Sequence, residues 1–154
     1  MRLLVGLVVF FPEGIQKLAF PILLGAGRFA RIGISYPDVM GPFVGVVEIV
    51  CGALIIVGLL TRLAAIPLII IMVVAIVSTR LPIWTGADFW IFHLPKLDRY
   101  GFWSMAHEAR ADFTMLLGCL YLLIEGGGRC SMDAKLVDRA PETDARRTAV
   151  FPRQ

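Results

Sequence analysis

The sequence predicts an all-α integral membrane four-helix bundle, with a long aromatic interfacial connection between its third and fourth helices. Three observations carry that prediction. Of the 154 residues, 58% are hydrophobic and only 18% charged, and the mean hydropathy is +0.78; a soluble domain of this length carries more charge and less apolar content. The apolar residues gather in runs rather than stripes, as they do where lipid solvates a helix on every side. Finally, a carboxylate, Glu48, stands in the middle of the run from Val39 to Leu60. A lone charge in hydrocarbon costs ~2.5–3.5 kcal/mol on insertion scales, so Glu48 is expected to face a protein interior, with a partner or a proton.

The first span covers about 2–20. Its early arginine and apolar run resemble a secretory leader, but Pro12, Glu13, Gln16 and Lys17 stand where small residues would mark a cleavage site. It is therefore expected to be a retained helix. A link containing Arg28, Arg31 and Tyr36-Pro37-Asp38 leads to the second span, 39–60. Thr61-Arg62 reads as a very short turn, with Arg62 bonding the last carbonyls of the second helix and reaching lipid phosphates. The third span covers 63–78. The connection after it holds Trp84, Phe89, Trp90, Phe92, Tyr100, Phe102 and Trp103. Trp and Tyr favour the headgroup layer, so this segment is expected to lie along the membrane surface or fold back over the bundle mouth.

The fourth span is placed at 108–125, its helix starting near Ser104 and stopping at Gly126-Gly-Gly128. The bundle thus occupies 1–128, and 129–154 is a polar, partly disordered tail. Arg129 is expected to anchor the fourth helix, and Ser131 or Asp133 to cap a short helix after it. Four spans place both termini on the side of the Arg62 turn, with eight of the 15 basic residues. Both termini are accordingly expected in the cytoplasm, the chain crossing the plasma (inner) membrane several times.

Several function classes are set aside. A net charge of +3, dispersed along the chain, does not suggest nucleic acid. Cys51, Cys119 and Cys130 form no C-x-x-C pair, so neither a dithiol nor a zinc site is indicated. His93 and His107 fall outside the spans, which argues against bis-histidine haem ligation. A metal site from His93, His107, Glu108 and Asp112 is outweighed by a simpler reading, acids at a solvated helix start near the positive end of its dipole. No phosphate loop, G-x-S-x-G or H-E-x-x-H motif occurs. No cofactor is visible and no catalytic residue is assigned.

The helical spacings point to one cluster. Gly6, Phe10, Glu13 and Lys17 recur at i, i+4, i+7 and i+11, and so do Gly41, Gly45, Glu48 and Gly52. Glu13 and Lys17 are an i, i+4 pair in the favourable order. Gly41 and Gly45 let another backbone approach closely, which puts Glu48 on the packed face. At ~1.5 Å per residue, Glu13 and Glu48 lie roughly 10–14 Å below the same surface on antiparallel helices, so they are placed to meet. In a structural reading Lys17 neutralises the acids and locks register. In a functional reading Glu13, Lys17 and Glu48 bind a ligand or handle protons. With Lys17 the only cation nearby, one carboxyl would carry a proton.

The chain resembles the DoxX family of small four-helix membrane proteins over about 2–133. The resemblance rests on Gly14-Ile-Gln-Lys17-Leu, Gly45-Val-Val-Glu48-Ile-Val-Cys-Gly52, Gly58-Leu-Leu-Thr-Arg62-Leu-Ala-Ala65 and Met72-Val-Val-Ala75. It continues through Asp112-Phe-Thr-Met-Leu-Leu-Gly118 and Gly126-Gly-Gly-Arg-Cys-Ser131-Met-Asp133. The family is named for a small membrane subunit associated with thiosulfate:quinone oxidoreductase. The resemblance implies a non-catalytic membrane subunit or anchor of a redox complex, linked to sulfur or oxidative-stress chemistry, with a soluble or membrane oxidoreductase partner. The alternatives are a quinone- or small-molecule-binding protein and a small transporter, each using the Glu13/Lys17/Glu48 cluster. A transporter of this narrowness would need to form a homo-oligomer.

Overall fold

The computed structural model describes residues 1–88, 92–94, 97, 99–128 and 131–135. Among them the chain is helical, with no strand. Helix α1 covers 2–19 as three continuous stretches, Arg2–Val8, Val9–Ile15 and Gln16–Ala19. Helix α2 is short, Ala26–Arg31. Helices α3, Pro37–Val57, and α4, Thr61–Thr85, have 21 and 25 residues, and each contains an 18-residue window of mean hydropathy 2.3 and 2.4, respectively. Both are long and apolar enough to cross a membrane, which takes about 20 residues. Helix α5 is Phe102–Glu125, starting close to the Ser104 expected for it.

The outer surface is apolar. Leu3, Leu7 and Phe11 of α1, Phe43, Val46 and Val50 of α3, Ile70 and Val73 of α4, and Phe113, Leu117 and Tyr121 of α5 are all exposed. In water so large an apolar surface would drive aggregation; lipid solvates it. The core is thin by comparison, centred on Val5, Val9, Ile55, Leu68, Met72, Cys119 and Leu122. With no hydrophobic drive between helices in lipid, close backbone packing holds them together. Helices α1 and α3 run antiparallel with glycines at the contact. A Cβ at Gly14 would stand 2.7 Å from the Ile49 side chain and 3.0 Å from its backbone nitrogen, and one at Gly52 would stand 3.1 Å from the Phe10 backbone nitrogen.

Two stretches are wound as π-helix, Val9–Ile15 in α1 and Ile76–Arg80 in α4. Pro12 lies inside the first and Pro82 just after the second. A proline lacks its N–H and crowds the carbonyl four residues back, and a widened turn relieves that clash. Pro42 and Pro67 sit in ordinary α-helix, so proline alone does not widen a turn. The widened stretches include Glu13 and Arg80, but Lys17, Glu48 and Asp112 are carried inward by ordinary α-helix.

The turn between the second and third spans lies earlier than the Thr61-Arg62 expected for it. Helix α3 stops at Val57 because Gly58 is left-handed, at φ 77°, and the Gly58 and Leu59 N–H groups bond back to the Leu54 carbonyl at 2.8 and 3.0 Å, a glycine-terminated helix end. Thr61 and Arg62 open α4 instead. The Arg62 guanidinium accordingly reaches the Ile124 carbonyl at the end of α5, at 2.8 Å, rather than the end of α3.

A knot closes this end of the bundle. Residues 131–135, which the sequence assigns to the tail, pack against it. Buried Ser131 caps its own helical turn, its Oγ accepting from the Ala134 N–H at 3.2 Å. Asp133 caps α4 from a distance: its carboxylate accepts from the Leu60 N–H at 2.7 Å, and from the Thr61 N–H and hydroxyl at 3.1 Å each. Arg2 ties in the chain start through the Gly127 carbonyl at 3.0 Å. The anchor expected at Arg129, Cys130 and the tail beyond 135 lie outside the described residues.

Leu60 is left-handed, at φ 50°, a conformation that costs a residue with a Cβ roughly 1–2 kcal/mol. The Asp133 cap holds it there. Partial desolvation pushes the Asp133 carboxyl up, but the bonds from Thr61 and Leu60, with the Arg2 charge nearby, outweigh it and hold the group below its ordinary value. A depressed folded pKa means the cap contributes fully above the ordinary carboxylate range. That contribution is lost as pH falls through the depressed value. Asp133→Asn is expected to cost about 1–2 kcal/mol and to flatten the acid limb of thermal stability, whereas Leu60→Gly should stabilise. An unchanged acid limb in Asp133→Asn would show that the cap is idle.

Candidate functional site

The geometry brings Glu13, Lys17 and Glu48 together. Lys17, near the end of α1, is buried, and its Nζ donates to both Glu48 oxygens at 2.7 and 2.6 Å. It also donates to Glu13 Oε2 at 3.1 Å. The reason is local. Gly45, one turn before Glu48 on α3, leaves room for α1, and a Cβ there would lie 3.4 Å from Cβ of Lys17. The long lysine stem then lies along α3 and delivers its charge to Glu48.

The two acids differ in access. The Glu48 side chain is fully sealed, at 0% exposed, whereas that of Glu13 is 28% exposed. Glu13 is thus the more accessible acid of the cluster.

A cavity of about 250 Å³ opens beside the cluster. Its apolar walls come from Phe29, Ile32, Met40, Val44, Ile71 and Met72, and its polar groups are Glu13, Lys17, Glu48, Arg28, Ser78, Thr79 and Asp112. Its volume lies just below the ~300–1,000 Å³ usual for small-molecule pockets. Arg28 corrects the expectation that Lys17 is the only nearby cation. It reaches the cavity from α2, which is seated on α3 at Gly41, where a Cβ would stand 2.5 Å from the Ala26 nitrogen. The formal charges of Glu13, Glu48, Lys17 and Arg28 cancel.

A second ion pair was missed. Arg80 Nε donates to Asp112 Oδ2 at 2.7 Å, and Nη1 lies 3.4 Å from Glu108 Oε2. The sequence assigns Arg80 to the connection after the third span and Asp112 to a solvated helix start. In fact α4 continues to Thr85, and both residues are buried. The signal that would have found the pair is the apolar Leu81-Pro-Ile-Trp84 that follows Arg80. An arginine inside a continuing helix needs an acid, and Glu108 and Asp112 supply two at i, i+4 spacing. The four suggested metal ligands do not converge: Asp112 turns to Arg80, His107 contacts Arg110 at 2.5 Å, and His93 lies 3.3 Å from Asp88.

A helical bundle with a lipid-facing exterior and a buried ion cluster lining a cavity defines a small integral membrane protein of the helical class. The chain belongs to the DoxX family, whose pattern matches residues 1–81. It is also similar to an uncharacterized membrane protein of Mycobacterium tuberculosis, 52% identical over 146 residues, 95% of this chain and 85% of that protein. No solved structure matches it.

The cluster makes a coupled prediction. Lys17→Met strands a buried carboxylate and is expected to cost ~3–5 kcal/mol, while Lys17→Met with Glu48→Leu should recover most of that loss. Thermal unfolding of the four proteins in detergent measures the cycle. Equal melting of single and double variants would dissolve the claimed pairing.

Proposed function

We propose that this DoxX-family protein crosses the plasma membrane with α1, α3, α4 and α5, both termini cytoplasmic, and holds a small amphipathic molecule in the cavity beside Glu13, Lys17 and Glu48. The supporting observation is the cavity itself. It is apolar over most of its wall, yet ends on charged side chains whose burial is costly unless each is paired. A purely structural ion pair needs no cavity beside it, and close packing would normally fill one. A quinone, with a flat apolar ring and carbonyl oxygens, is one molecule of this description.

The topology reading draws on the knot, which brings Arg2, the 58–60 turn and 131–135 to one end, as an even number of crossings requires. Exposed Trp84, Tyr100, Phe102 and Trp103 gather around the connection between α4 and α5, in keeping with an aromatic belt. A cysteine introduced beyond 135 is expected to label only after the membrane is permeabilised. Labelling in intact cells reverses the orientation.

The reading as a redox-complex subunit rests on the family resemblance, and one experiment separates the two. The protein is purified gently in native lipid, and what accompanies it is identified by mass spectrometry. The cavity reading expects a small molecule at near-stoichiometric amount that falls in Glu13→Gln. A stoichiometric oxidoreductase with no bound small molecule would transfer the weight to the subunit reading.

A further inference from the structure

Three polar side chains on the cavity wall are only weakly engaged. The Arg28 guanidinium, half-buried on α2, makes no hydrogen bond or ion pair with any described residue, although it lines the cavity. On the wall formed by α4, Ser78 and Thr79 are 1% and 5% exposed. The Ser78 hydroxyl has only the Ala75 carbonyl and the Thr79 hydroxyl, each at 3.4 Å. Hydroxyl bonds normally lie at roughly 2.5–3.0 Å, so these groups are bonded, but by long contacts that a better-placed partner could improve on. The widened turn at Ile76–Arg80 turns both hydroxyls inward.

Resting on the cavity reading above, we infer that the occupant is a neutral amphiphile bearing an oxygen acceptor, held by Arg28 on one wall and by the Ser78–Thr79 pair on another. Neutrality follows from the charges already present. Of the lining groups, Glu13 and Glu48 face Lys17 and Arg28, and Asp112 is neutralised by Arg80 behind it at 2.7 Å; Glu108, the looser partner of Arg80 at 3.4 Å, is 41% exposed and lies off the cavity wall. An added charge would stand uncompensated in a low-dielectric site. The acceptor follows from arginine, which offers only donors; its fork suits a carbonyl oxygen. The hydroxyls donate or accept, so they tolerate either polarity. Ile32, Met40 and Ile71 supply the apolar contact between these groups.

The test uses the full chain in nanodiscs of ether-linked phospholipid, which carries no ester carbonyl. Methyl octyl ketone, decanoate, decylamine and decane are titrated separately, and the saturable rise in thermal unfolding midpoint is read. The ketone is expected to stabilise the protein, and decane and decylamine are not. Arg28→Ala should weaken the ketone response about tenfold, with a smaller loss in Ser78→Ala/Thr79→Val, which serves if the arginine variant folds poorly. Loss of the ketone response in ester-linked discs supports the same chemistry and identifies the lipid ester as its source. Saturable ketone binding indifferent to both variants overturns the inference but leaves the cavity reading standing. Preferential binding of decanoate overturns the neutral class. No saturable response to any probe overturns the inference together with the cavity reading.

Discussion

The contact between Lys17 and Glu48 is the constraint on which the rest of the bundle depends. Taking an ammonium and a carboxylate out of water costs several kcal/mol per ion, and only direct contact offsets that. Contact at 2.6 Å requires α1 and α3 to approach closely at that level, which forbids side chains between them. Gly14, Gly45 and Gly52 meet that condition, and a Cβ at Gly14 alone would come within 2.7 Å of the Ile49 side chain. The glycines and the ions therefore form one device. Without the glycines the charges are stranded, and without the charges the close glycine packing alone would have to hold the helices together.

The same logic recurs elsewhere in the bundle. Arg80 and Asp112 join α4 to α5 as Lys17 and Glu48 join α1 to α3, and Asp133 closes the opposite end by capping α4. Each contact is polar, directional and shielded, so each fixes one register where apolar packing in lipid would permit several. The price is backbone irregularity, as π turns at Val9–Ile15 and Ile76–Arg80 and a left-handed leucine at 60. A strict α-helix through Pro12 or Pro82 would aim Glu13 or Arg80 along a different direction.

Legibility in the sequence followed range. Glu13, Lys17, Glu48 and the glycine face were readable because helical periodicity is local and two antiparallel helices with matched depths meet by geometry alone. The turn at 58–60 was displaced because Thr61-Arg62 is the polar break in the apolar run, whereas the chain reverses at Gly58, where a left-handed φ costs nothing. Arg28 and Arg80 were passed over because both fall in connections between the expected spans, where an arginine counts only towards orientation. Nothing local marks Asp133 as the cap of α4, since its partners lie 72 and 73 residues away. The widened turns have no reliable signature either, because Pro42 and Pro67 leave their helices regular.

The two acids of the cluster share one lysine but not one environment, and this asymmetry governs what the cluster can do. Glu48 is sealed and held through both oxygens, so its loss acts on packing. Glu13 meets Lys17 through a single oxygen and remains open to the cavity. One Glu13 oxygen is therefore free of Lys17, whereas both Glu48 oxygens are engaged. The Lys17–Glu48 pair borders the cavity as well, but it is the buried member of the cluster, so the contact that sets the helix register is the better shielded of the two.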